Sequence, residues 1–248
     1  PPNRQTYGVY WAGIDIVASA TSNTSPSLNS IHIYKGSHNL SDEYTEDRIV
    51  AKFMSRTSDK MDFYKKAMLL LEWYNAEALV ENNVTWFIEE AIKAKEQFRL
   101  ARNPQWARDM TPQGISHINR PFGVLSGTKL IDKMIEAISS YIKEPTYVTY
   151  DENTGEPTQH YGVERIRDLQ LLKELVNYRP KKEYEKGNYD SIFSFGLALL
   201  HAQNSEVLGI IPEDTKENVN FNQKNAKLML RSRFSHTNLK KLSNANNI

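Results

Sequence analysis

Cysteine is missing from all 248 residues. That excludes disulfides and thiolate-ligated zinc, and it fits a reducing compartment. No run of about 18 apolar residues occurs, so no transmembrane helix and no membrane partner are expected. An excess of charge is missing too: 31 Lys and Arg stand against 30 Asp and Glu, a net charge of +1. A nucleic-acid surface would therefore be a local patch, not a property of the whole molecule. A Gly-x-x-x-x-Gly-Lys-Ser/Thr phosphate loop is also lacking, and Ser126-Gly-Thr-Lys129 does not have its spacing, which argues against a P-loop ATPase motor. The opening Pro1-Pro-Asn-Arg-Gln5 carries neither an initiator Met nor a signal-peptide pattern, and reads as a domain cut from a longer chain.

What is present is an ordinary globular composition, 40% hydrophobic and 25% charged, enough for one large core or two small ones. Tyr7-Gly-Val-Tyr-Trp-Ala-Gly-Ile-Asp-Ile-Val17 is apolar, β-branched and aromatic, as a strand buried on both faces should be. It nevertheless holds one acid, Asp15. A buried carboxylate without a partner costs several kcal/mol, so such groups are usually paired or bound to a metal. Strand alternation puts Val9, Trp11, Gly13 and Asp15 on one face. The sheet is expected to grow outward from this strand.

Ala18 to Asn29 is rich in Ser, Thr and Asn and reads as a loop or hairpin tip. Ile31–Tyr34 alternates, and with Arg48–Met54 predicts an antiparallel meander across an acidic loop. Met61, Tyr64, Met68 and Leu71 recur at helical spacing after a Ser58-Asp59 cap, a stripe that reads as core packing. Glu77–Glu81 follows as a short strand, parallel to its predecessor through a βαβ crossover. Asn82-Asn83 turns the chain into a helix over Val84–Glu96. Lys93, Lys95, Arg99, Arg102 and Arg108 face the single acid Glu96, a run that is ordinarily a solvated face.

Lys129–Lys143 is amphipathic, with Leu130, Met134, Ile138 and Tyr141 on one side. Thr146–Tyr150 and Gln159–Val163 flank Asp151–Gly155 as a hairpin. Ile166, Leu169, Leu172 and Leu175 predict the next helix. Ser191–Ala202 is apolar almost all round and should lie buried against the sheet. Residues 1–203 are expected to form one α/β domain. Residues 204–248 form a basic tail whose last part holds Lys224, Lys227, Arg231, Arg233, Lys240 and Lys241 without an acid.

Three acids stand in three telling places: Asp15 in the central strand, Glu81 at the end of a parallel strand, and Asp190 at the start of the buried helix. Ligands collect at the carboxyl ends of parallel strands, so the fold would bring these acids together although no local motif does. Clustered carboxylates repel unless a cation neutralises them. Mg²⁺ or Mn²⁺ takes such oxygen ligands, and a two-metal site about 3.5–4 Å across could drive phosphodiester cleavage. Taken singly, Asp190 could be only a helix-terminal acid and Glu81 only a surface residue.

The order of these pieces resembles the nuclease domain of the large terminase subunit of tailed bacteriophages, a member of the RNase H-like superfamily. The likeness spans about residues 7–203 and rests on Gly13-Ile-Asp15, Ala78-Leu-Val-Glu-Asn-Asn83, the turn and helix from Gly123 to Met134, and Tyr189-Asp-Ser-Ile-Phe-Ser-Phe-Gly-Leu-Ala198. The chain has Tyr189 where many members carry an acid beside the last Asp, and Ser, Thr and Asn where many carry a further Asp after the first strand. The resemblance implies a mixed sheet, an antiparallel meander plus parallel strands, flanked by helices. It also implies a metal-dependent endonuclease that cuts concatemeric viral DNA during packaging, with Asp15, Glu81 and Asp190 as catalytic metal ligands. Lys129 and Arg120 become candidates for DNA phosphate contacts, each equally compatible with a plain surface role, and His117 a weaker one. Implied partners are double-stranded DNA and, in a full-length subunit, an ATPase domain, the portal and the small terminase subunit, all in the cytoplasm of an infected bacterium. Two other readings stay open: another RNase H-like enzyme such as a Holliday junction resolvase or transposase core, and a non-catalytic module that binds DNA or a portal.

Overall fold

The computed structural model describes residues 8–17, 28–36, 47–55, 60–108, 121–178 and 189–207. Arg120, His117, the acidic loop at 42–46, most of the Ser/Thr/Asn-rich loop and the tail beyond Val207 lie outside the described residues.

Strand β1 (Tyr10–Asp15) is interior to a four-stranded sheet. It pairs antiparallel with β2 (Asn29–Lys35), which pairs antiparallel with β3 (Arg48–Ser55). Helix α1 (Lys60–Trp73) then carries the chain over the sheet to β4 (Glu77–Val80). The sheet order is β3-β2-β1-β4. The crossover is as expected, but the hydrogen-bonded partner of β4 is β1 and not β3. The crossover passes over the meander, so β4 adds to the free edge of β1 while β3 stays at the opposite edge of the sheet. The fold is thus α/β, with a mixed sheet flanked by helices, an arrangement compatible with the RNase H-like fold.

Both faces of β1 are covered, which is why its sequence is apolar up to the terminal Asp15. Ala12 and Ile14 point, with Ile31, Ile33, Ala78 and Val80, into a core closed by Phe63, Ala67 and Leu71 of α1 and by Phe87 of α2 (Trp86–Lys93). Trp11, Tyr34 and Leu79 point the other way, against α6 (Asp190–Val207), which presents Ile192, Phe195 and Leu199. Burial of the Ser191–Ala202 stretch is therefore as read from its composition, and the helix runs on to Val207.

Between these layers α2 is shorter than the helix expected over 84–96. It ends at Lys93, and a 3₁₀ turn at Gln97–Arg99 and a one-turn helix α3 (Gln105–Arg108) follow. A positive φ of 61° at Lys95 stops the helical path. The basic run is tied locally: Lys93 pairs with Glu90 at 2.6 Å, Arg99 donates to the Leu71 carbonyl and Arg108 to that of Asn103. Helix α4 (Thr128–Lys143) leads into the hairpin β5 (Pro145–Tyr150) and β6 (Pro157–Tyr161), as predicted. The helix expected from Ile166 starts only at Leu169, as α5 (Leu169–Asn177), because Asp168 caps it by accepting from the Gln170 amide. Among the described residues no helix is long and apolar enough to cross a membrane.

Gly13 lets α6 lie on β1. A Cβ built there would sit 2.0 Å from the Ser194 carbonyl oxygen and 2.4 Å from the Ala198 amide, both backbone atoms that cannot swing away. We expect Gly13→Ala to destabilise the fold by about 3 kcal/mol, the upper end of overpacking, read from urea unfolding. A change under about 0.5 kcal/mol, the ordinary range for surface substitutions, would mean that α6 does not rest on this residue.

Candidate active site

Strand register sets the first two acids side by side. Ile14 is the partner of Val80, so the next residues, Asp15 and Glu81, emerge together at the carboxyl ends of parallel strands. The Glu81 amide donates to the Ile14 carbonyl at 2.9 Å. On its other side Glu81 forms a parallel bridge with Val124, and the Asn82 amide donates to the Val124 carbonyl at 2.7 Å. This added segment comes so close to β4 because Gly123, at φ +71°, leaves no Cβ to strike the Val80 carbonyl.

Asp190 arrives on the first turn of α6. Its carboxylate accepts from the Leu28 amide at 2.6 Å, which pins the helix start to the entry of β2. The Ile192 amide in that first turn is capped by another residue, the buried Glu174 of α5, at 3.1 Å. Burial pushes the Glu174 carboxyl up, against hydrogen bonds from Gln170, Ile192 and Ser191 that pull it down.

One turn along, the Ser194 hydroxyl lies 2.7 Å from each of Ser30 Oγ, His32 Nδ1 and the Asp190 carbonyl. His32 Nε2 is 3.2 Å from Asp168, whose other oxygen accepts from Lys52 at 2.5 Å. Burial holds the fully enclosed His32 below its ordinary value, against the pull of Asp168. Burial works to raise Asp168, but His32 and Lys52 override it and hold the group well below the usual carboxylate range.

Asp15 is only 6% exposed and its pKa lies well above the ordinary carboxylate value. Burial is the main cause, followed by a hydrogen bond to Glu81, the charge of Glu81 and the charge of Asp190. Two carboxyl groups can share a hydrogen bond only if one of them holds a proton, which is why this contact raises Asp15 further. The three predicted acids thus act on one another across one end of the sheet. They do not form a finished cage: among the described residues no three His, Cys, Asp or Glu side chains are grouped so as to hold a metal ion. The donor chemistry, carboxylate oxygens only, is of the kind that hard divalent cations accept.

Lys129 stands exposed on the first turn of α4, in the same connection as Val124 and Ser126. Arg120 lies outside the described residues. Missed from the sequence were Glu174, Asn83 and the His32–Asp168–Lys52 chain. The only available signal was a polar stripe, Ser30 and His32 on one face of β2, opposite Ser191 and Ser194 on an otherwise apolar helix. No family model matches the chain, and no curated protein matches it.

The raised Asp15 has a definite consequence for stability. The native state holds this proton more tightly than the unfolded chain, so the contribution of Asp15 to stability is fully present below about pH 4, the ordinary carboxylate value, and is lost as pH rises through the native pKa. Asp15→Asn removes that penalty. Its melting temperature at neutral pH, in chelator, should exceed that of the wild type, and the two should converge in acid. A lower melting temperature at neutral pH would show that Asp15 is held by favourable partners instead.

Proposed function

We propose that the chain is a metal-dependent endodeoxyribonuclease, the nuclease domain of a terminase large subunit that cuts concatemeric viral DNA during genome packaging. The observation that carries this reading is the register placing Asp15 beside Glu81 at the carboxyl ends of β1 and β4, with Asp190 of α6 close enough to raise the Asp15 pKa further. Asp15, Glu81 and Asp190 would hold Mg²⁺ or Mn²⁺. When bound, such ions supply an acidified water and charge neutralisation for an in-line phosphodiester displacement.

The protein's own part follows from its geometry. To hold a cation, Asp15 would give up its proton, whose release its raised pKa makes a condition of metal binding. The two strands fix the first pair of acids through backbone hydrogen bonds, so little reorganisation of them is needed. Asp190 has a separate anchor at Leu28. Lys129, and Arg120 by resemblance, would contact phosphates, which positions a duplex without reading its bases. In a full-length subunit the motor, portal and small-subunit partners would bring DNA to this edge.

The test is plasmid nicking. Purified protein should cut with Mn²⁺ or Mg²⁺ and not in EDTA, and DNA binding should weaken steeply with salt. Asp15→Asn, Glu81→Gln and Asp190→Asn should each lower cutting at least ~100-fold, since loss of even an outer-shell partner costs about 10–100-fold. Equal cutting in EDTA would sink the proposal. Normal cutting by Asp190→Asn alone would place the third ligand elsewhere. Preference for four-way over linear DNA would favour a junction resolvase, and a folded chain that neither binds metal nor cuts would be a binding module.

A further inference from the structure

Two adjacent asparagines follow Glu81, and they point in opposite directions. Asn82 is buried and donates to the Phe122 carbonyl at 2.9 Å, which holds the added strand segment. Asn83 is exposed, yet both ends of its amide are engaged. Its Oδ1 accepts from the Ser126 amide at 2.9 Å, and its Nδ2 donates to Glu81 Oε1 at 2.9 Å. The orientation is forced: a backbone N–H can only donate, so the amide oxygen must face Ser126 and the NH₂ group must face the carboxylate. Ser126 lies just before Gly127, the residue at the N-terminal end of α4. Asn83 therefore spans from the helix that carries Lys129 to the acid at the end of β4.

Resting on the nuclease reading, we infer that Asn83 is a positioning residue, holding the Glu81 carboxylate in one rotamer so that it is ready to accept a divalent cation beside Asp15. A free glutamate has three rotatable bonds to fix on binding, and its long side chain loses considerable entropy when ordered. Asn83 donates to one carboxylate oxygen only, so the contact a cation would have to replace is the one Glu81 shares with Asp15. The Ser126 bond gives that donor a fixed base, which an exposed side chain would otherwise lack. Outer-shell donors of this kind orient their ligand, and losing one costs about 10–100-fold in metal affinity or activity.

The experiment is a calorimetric Mn²⁺ titration of the 248-residue chain, wild type beside Asn83→Ala and Asn82→Ala, with melting temperatures and nicking rates measured on the same samples. Asn83→Ala should weaken Mn²⁺ binding about 10–100-fold, keep the wild-type melting temperature, and recover most of its cutting rate at saturating Mn²⁺. Asn82→Ala should do the reverse, melting lower with little change in Mn²⁺ affinity. Unchanged Mn²⁺ affinity in Asn83→Ala would overturn the inference, since the residue would then merely shape a turn. A rate loss that excess Mn²⁺ cannot restore would overturn it as well. Wild-type protein that binds no Mn²⁺ would remove the nuclease reading itself and the inference with it, whereas wild-type binding with an indifferent Asn83→Ala removes the inference alone.

Discussion

Helix α6 approaches β1 so closely that the Ser194 carbonyl occupies the place a Cβ on residue 13 would need. Most of the specific architecture depends on that contact. It brings a helix start within electrostatic reach of a strand end, which is how Asp190 comes to act on Asp15. It also sets the helix over β2 closely enough for Ser194 to meet Ser30 and His32. A bulkier residue at 13 would separate both pairs at once, because backbone and not a flexible side chain stands in the way.

The Ser194–His32–Asp168 chain has the order of a nucleophile, a base and its orienting acid, but no substrate can reach it. Ser194 and His32 are fully buried, and the hydroxyl is spent on Ser30 and a main-chain carbonyl. Its effect is on structure. Neutral His32 bridges α6 to Asp168, the cap of α5, and Lys52 on β3 closes the other side. Polar groups in a core cost stability when left unpaired and impose one geometry when satisfied. Here they fix the direction of a helix whose apolar surface, almost uniform around its axis, would otherwise allow it to rotate.

Elements with a strong one-dimensional pattern were legible in the residues themselves. β1 is apolar on both faces, α4 has a clear stripe, the hairpin has its Asp151–Gly155 turn, and α6 is apolar enough to demand burial. The acids could be placed because each lies at the end of such an element. Asn83, Glu174 and His32 could not, for a common reason. Asn82-Asn83 has turn chemistry whichever side chain points inward, Glu174 sits in a helix whose other polar residues face solvent, and His32 alternates as any strand residue would. Their roles arise from contacts across large sequence separations, such as His32 with Ser194, that no periodicity encodes. The partner of β4 was missed similarly, since local pattern gives a strand's existence and direction but not its neighbour.

Asp190 is where the structural and the functional readings part. If it served only to cap α6, the first-turn Ile192 amide would be its natural partner, but Glu174 holds that amide. The Asp190 carboxylate reaches instead to Leu28, and its charge bears on a neighbouring buried acid. A neutral asparagine would still accept from the Leu28 amide, though more weakly than a carboxylate, and would remove that repulsion. The helix dipole favours a negative charge in this first turn, but it does not account for setting that charge against a second, buried acid. At Asp15 burial and like-charged neighbours work against the ionised form and outweigh the backbone hydrogen bond at Ile16 that favours it. A divalent cation held by these carboxylates would offset the repulsion at this edge of the sheet, and that is the physical ground of the proposed chemistry.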